Sequence, residues 1–157
     1  MATNIGTGPE DIPINQFLGE MAFRDAKPRV MMIAQKNNGM TLNTSATAVQ
    51  FPNTVHDTHI GLSNTNSRYT VPYAGDYFVM FNLNALSNSN STTFDIRVDG
   101  SRYSNYHITN TNHPRMHFSL SAIVPDVSAG SYIEIRGYVN TGNLTVDNAG
   151  NWQIYLM

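Results

Sequence analysis

The 157-residue chain has no cysteine, which excludes disulfides and thiolate metal sites and leaves packing to hold the fold. Charge is scarce as well. Asp, Glu, Lys and Arg make up 13% of the residues, the formal net charge is −2, and the nine Lys and Arg are scattered along the sequence. That distribution predicts no footprint for nucleic acid or for an anionic membrane. No apolar run approaches the length that spans a bilayer, so no membrane insertion is expected. The opening "MATNIGTGPEDIPINQFLGEM" lacks the basic start and apolar core of a secretion signal, which predicts synthesis in a cytoplasm. Three Asn-X-Ser/Thr triplets, at Asn43, Asn90 and Asn143, are what chance supplies in so Asn- and Thr-rich a chain.

Catalytic patterns are missing too. There is no Gly-X-Ser-X-Gly, and "GTGPED" is not a phosphate loop. The only glutamates are Glu10, Glu20 and Glu134, two of them near the N-terminus, and no pair of carboxylates suggests a glycosidase cleft. The expectation is a non-enzymatic chain without cofactor.

What is present is β pattern. A length of 157 residues suits one domain that buries about two thirds of its unfolded surface. Residues 1–28 differ from the rest: Gly6, Gly8, Pro9 and Pro13 make an irregular lead, and Phe17, Leu18, Met21 and Phe23 give it apolar side chains that need a docking surface. Residues 1–28 are therefore read as a docking arm and 29–157 as the folded domain. In the domain, runs rich in Val, Ile, Phe, Tyr and Thr alternate with turn residues, predicting strands near 30–36, 48–55, 68–70, 76–85, 93–98, 103–108, 116–124, 132–139, 144–146 and 152–157. Asn-Gly in "NNGM" and Asp-Gly in "VDGS" are hairpin signals, the second the stronger. About ten short strands in one domain predict an all-β sandwich or jelly roll.

Two strands carry apolar residues on both faces. Tyr77, Val79, Phe81 and Leu83 alternate with Phe78, Met80 and Asn82, and in "NWQIYLM" Trp152, Ile154 and Leu156 alternate with Gln153, Tyr155 and Met157. One sandwich has one core, so the second apolar face predicts a subunit interface, with Phe78, Met80 and Tyr155 at its seam. These aromatic strands could also be a sugar platform, but packing is the commoner use of such residues. If a glycan is bound, the loops at 84–92 and 106–114 are the better candidates. "HDTH" (His56, Asp57, His59) and "HPRMH" (His113, Arg115, His117) group metal-ligand and pH-sensitive types. "HDTH" is read as a solvated loop, since His56 and His59 would point to opposite faces of a strand. "HPRMH" puts its three residues on one face if the strand starts early, and ordinary solvated side chains are preferred there to a pH-sensitive or sugar-binding patch.

The stretch 47–86 resembles the globular heads of the C1q and tumour necrosis factor superfamily. Phe51, Asp57, Thr58, Tyr69, Thr70, Pro72, Ala74, Gly75 and Tyr77 match the family's order of an aromatic strand end, Asp-Thr, an aromatic-Thr-X-Pro turn and Ala-Gly-X-Tyr. "IRVDGSRY", "VSAGSYIEIRG" and the closing "NWQIYLM" continue the likeness, with Ser131 where Asp is usual and Ile154 in place of the common Gly. The resemblance implies a ten-stranded jelly roll that associates as a homotrimer and serves binding and assembly. The family's collagen stalk is absent from this sequence. "DIPINQFLGEMAFRDA" resembles the start of short structural proteins of tailed bacteriophages. That second resemblance implies a virion protein: a capsid decoration trimer docked through its arm to the major capsid protein or a tail protein. The alternative is the receptor- or glycan-binding head of a tail fibre.

Overall fold

In a computed structural model, residues 30–87, 91–109 and 115–157 are described, and they hold twelve strands and no helix. The strands are β1 (Met31–Gln35), β2 (Met40–Leu42), β3 (Thr47–Ala48), β4 (Asn53–Asp57), β5 (Leu62–Ser63), β6 (Arg68–Thr70), β7 (Gly75–Ser87), β8 (Ser91–Val98), β9 (Ser101–Thr109), β10 (Met116–Val127), β11 (Tyr132–Val139) and β12 (Leu144–Leu156). They form two six-stranded antiparallel sheets. The first runs β10-β7-β12-β1-β4, with β2 also against β12; the second runs β5-β6-β11-β8-β9, with β3 against β11.

Period-two alternation decides what lies between the sheets. Tyr77, Val79, Phe81 and Leu83 of β7 are fully buried, as are Trp152 and Ile154 of β12, and they meet Phe94, Ile96, Ile133 and Ile135 from the second sheet. Aromatic rings lock the layer: Phe94 stands edge-on to Phe118 at 4.6 Å, Phe81 lies 5.9 Å from Phe94, and Phe51 lies 5.6 Å from Trp152. Each such side chain stabilises the fold by about 1.5–3 kcal/mol through burial. At Gly137 a Cβ would come within 2.5 Å of Leu42 Cδ1 and 2.7 Å of Phe94 Cε1, so the absence of a side chain there lets the second sheet close on the first.

The β8–β9 turn bears out its sequence signal. Asp99 (φ 48°) and Gly100 (φ 81°) both take the left-handed conformation between paired Val98 and Ser101. Asn37 to Met40 does not form the expected hairpin. β1 pairs with residues 151–155 and β2 with residues 144–146 of the same strand, so the chain runs straight on past Gly39. The strand expected at 48–55 is split between sheets, because Val49 donates to Ile135 in the second sheet while β4 pairs with β1 in the first. Phe51 is buried at this crossing, and Pro52 has no N–H for a ladder. The two strands expected near the C-terminus are one, β12, with a register irregularity between Val146 and Gly150. Together with the unforeseen β2 and β5, these changes give twelve strands where ten were expected.

Candidate assembly face and charged face

The first sheet turns one face to the core and one outward, and register aligns the outward residues in rows. Ile123, Phe78, Tyr155 and Met31 stand side by side across β10, β7, β12 and β1. The next row is Ser121, Met80, Gln153, Ile33 and His56, and the one after it is Ser119, Asn82, Asn151 and Gln35. All three interface residues expected from the sequence therefore share this face. Phe78 and Tyr155 have ring centroids 6.4 Å apart, and both are only half-buried in the single chain. Ile123 is 51% exposed.

Polarity rises along the face without becoming charge. The Tyr155 hydroxyl donates to Gln153 Oε1 (2.7 Å), Asn82 Nδ2 to Asn151 Oδ1 (2.8 Å) and Asn53 Nδ2 to Gln35 Oε1 (3.2 Å). None of the residues in these three rows is Lys, Arg, Asp or Glu. Met31, Ile33 and Ile123 were missed, although "VMMIAQ" is apolar on both faces, as the strand at 76–83 is.

At the rim beyond β4 the "HDTH" residues build a turn. The Asp57 carboxylate accepts from the backbone N–H groups of His59 (3.1 Å) and Leu62 (2.9 Å), while His59 sits 2.7 Å from Thr58 Oγ1 and edge-on to Tyr73. Among the described residues no group of three or more His, Asp or Glu is placed to hold a metal. The turn leaves Ile60 90% exposed at φ 55°, a region that β-branched residues enter only under strain.

Arg115 and His117 of "HPRMH" border a hollow of about 240 Å³ with Asn84, Ala85, Met116 and Asp147, and His117 Nδ1 lies 2.8 Å from Asn84 Oδ1. His113 lies outside the described residues, as do parts of the 84–92 and 106–114 loops. The docking-arm residues Phe17, Leu18, Met21 and Phe23 also lie outside them.

The second sheet's outer face corrects the reading that the basic residues are merely scattered. Four of them converge there on two fully buried carboxylates. Glu134 accepts from Arg68 Nε (3.0 Å) through Oε2 and from Arg136 Nε (2.8 Å) through Oε1. Asp95 accepts from Arg97 through Oδ2 (2.8 Å), and its Oδ1 lies 3.0 Å from Arg102 Nε. The hydrogen bond to Glu134 holds the Arg68 guanidinium above its ordinary range, and the charge of Asp95 does the same for Arg102. Two of the pairs run along a strand, Asp95 to Arg97 and Glu134 to Arg136, two residues apart on one face, and Arg68 reaches Glu134 from the facing position on β6. The sequence did carry this signal, as the repeated acid-Ile-Arg of "FDIRV" and "IEIRG". Lys36 is the contrast. It is buried with neutral oxygens of Asn38 (3.2 Å) and Gln50 (3.4 Å) as partners, and burial lowers its pKa to about 8.

No protein-family model matches the sequence, and comparison with curated proteins finds no match. Solved structures do match. The globular domain of zebrafish complement 1qA superposes with a TM-score of 0.66 at 12% identity, over 82% of this chain and 97% of that one. Eiger TNF from S. frugiperda gives 0.67 at 10% identity over 83% and 94%, and murine APRIL at pH 5.0 gives 0.64 at 10% identity over 82% and 99%. The likeness first met in the order of short motifs thus extends to the backbone of nearly the whole domain, and the chain has the C1q and tumour necrosis factor jelly-roll fold.

Proposed function

We propose that this chain is a non-enzymatic assembly protein, a homotrimer whose contact is the outward face of the first sheet around Phe78, Met80 and Tyr155. The observation that carries the reading is the row Ile123, Phe78, Tyr155 and Met31, an apolar stripe that heads three rows without Lys, Arg, Asp or Glu. Covering each half-buried side chain adds on the order of 1 kcal/mol, repeated at every copy of the interface. A ring needs two unlike surfaces that fit each other, whereas one face meeting itself gives a dimer. The rim at β4 supplies the second surface: Val55 is 53% exposed there and Ile60 projects from its turn. In this reading the rim of one copy packs on the apolar row of the next, and three copies close around an axis.

The particle we infer is the virion of a tailed phage, on the strength of the leader's resemblance. Residues 1–28, with Phe17, Leu18, Met21 and Phe23, would pin the trimer to a major capsid protein or a tail protein after synthesis in the bacterial cytoplasm. Light scattering tests the first step. A mass near three times 17.4 kDa is expected for the full chain, and near three times its own mass for a version starting at Lys27. A monomer in both would overturn the trimer. Counting copies per particle tests the second step: decoration requires many copies, and a receptor-binding fibre tip few.

A further inference from the structure

We propose that the outer face of the second sheet binds an acidic polysaccharide through Arg68, Arg97, Arg102 and Arg136. Each buried carboxylate is paired with two guanidinium groups where one neutralises it, so four Arg over Asp95 and Glu134 leave two positive charges on this face of a chain whose net charge is −2. The carboxylates also fix the guanidiniums before any ligand arrives, which lowers the ordering cost of binding. Donors remain available. Among the described residues both terminal nitrogens of Arg68 and one each on Arg102 and Arg136 have no acceptor. A guanidinium fork matches a carboxylate in two parallel hydrogen bonds.

The choice of ligand rests on what lies between the charges. Tyr138 accepts from Arg102 (3.2 Å), His107 lies 2.7 Å from Thr93 Oγ1, and Asn105 stands opposite Asp95, so the arginines are interleaved with neutral hydrogen-bonding groups. The exposed large apolar residues sit elsewhere, and Tyr103, the one on a strand of this sheet, spends its hydroxyl on Ile123 of the first. The aromatic rings on this face are already engaged, Tyr132 beneath the Arg68 guanidinium at 4.2 Å and Tyr138 at Arg102, and neither is among the exposed large side chains that a protein partner would take as an anchor. A polyhydroxylated chain bearing carboxylates needs only charge and hydrogen bonds.

The test uses the full chain in titration calorimetry against polygalacturonate, neutral dextran and polyglutamate. Binding to polygalacturonate is expected, with none to dextran, and a loss of at least about tenfold between about 50 mM and 0.5 M NaCl. Arg68 and Arg102 are the variants of choice, being 35% and 47% exposed, because Arg136 and Arg97 remain to pair the carboxylates. The double change Arg68→Gln and Arg102→Gln should weaken binding at least about tenfold. Circular dichroism and mass, measured on the same sample, report folding and trimer separately. Should that variant misfold, Asn105→Asp places a negative charge on the face without removing a pair and should give a similar loss. Absence of binding, full retention in the folded variants, or equal affinity for polyglutamate would each overturn the proposal.

Discussion

The sandwich has two outer faces built from the same alternation, and they solve opposite problems. The first sheet's outer face has apolar side chains and amides with no charge in its three described rows, and its half-buried Phe78 and Tyr155 are still available to lose water. The second has its carboxylates fully buried and its guanidiniums spread above them, each carboxylate paired within one chain. An apolar face gains from being covered, while a face of ion pairs loses hydration when covered by anything not matched to it. On the proposed reading, assembly belongs to the first face, and the second stays open to solvent or an anionic ligand.

Placing charge on the neutral face should have the largest effect. Phe78→Asp puts a carboxylate in the middle of the apolar row, and the expected result is a folded monomer in light scattering, since desolvating an unpaired charge at each interface costs several kcal/mol. Persistence of a trimer would break the comparison. The mirror experiment removes charge from the charged face. Glu134→Gln leaves Arg68 and Arg136 without their buried counterion, and because both guanidiniums can rehydrate, the expected result is a modest fall in the urea midpoint with no change in trimer mass.

A smaller effect separates folding from assembly at the rim. Asn tolerates the left-handed conformation that Ile60 holds at φ 55°. Ile60→Asn should raise folding stability by about 0.5 kcal/mol and yet weaken association by on the order of 1 kcal/mol per contact. Association left unchanged would remove Ile60 from the interface. The smallest effect sharpens the contrast between paired and unpaired cations. Burial lowers Lys36 to about 8 in the fold from 10.5, so between those values the unfolded chain holds more protons and stability rises with pH. The melting temperature, measured at pH 7.5 and 9.5, should increase relative to Lys36→Met, which removes the dependence.

Much of this was legible because strands declare their faces by period two. Phe78, Met80 and Tyr155 could be named as one seam from alternation alone, and "VDGS" announced its turn. What escaped was whatever depends on which strand lies beside which. Arg97 and Arg136 sit two residues from their own carboxylates, but only the β6-β11-β8-β9 order brings Arg68 and Arg102 in from neighbouring strands to gather four guanidiniums over two carboxylates. Asn38-Gly39 has the chemistry of a hairpin tip, but β12 offers a continuous edge on which β1 and β2 follow one another, and that edge outweighs the local signal. Phe51 reads as a strand residue, and it is the core's demand for its ring that carries the chain from one sheet to the other.

The strand ends also give the domain two poles. Val30 enters beside the end of β12, accepting from Leu156, and Met157 donates to Asp76 at the same pole. The opposite pole gathers Ser87 beside Leu144, Ser91 beside Thr109, and Asn140, whose N–H donates to Ser91. On the proposed docking through residues 1–28, the chain enters the domain at the first pole and the far strand ends lie a strand's length from that entry. Changes at that far pole can alter what the surface meets while leaving the anchor as it was.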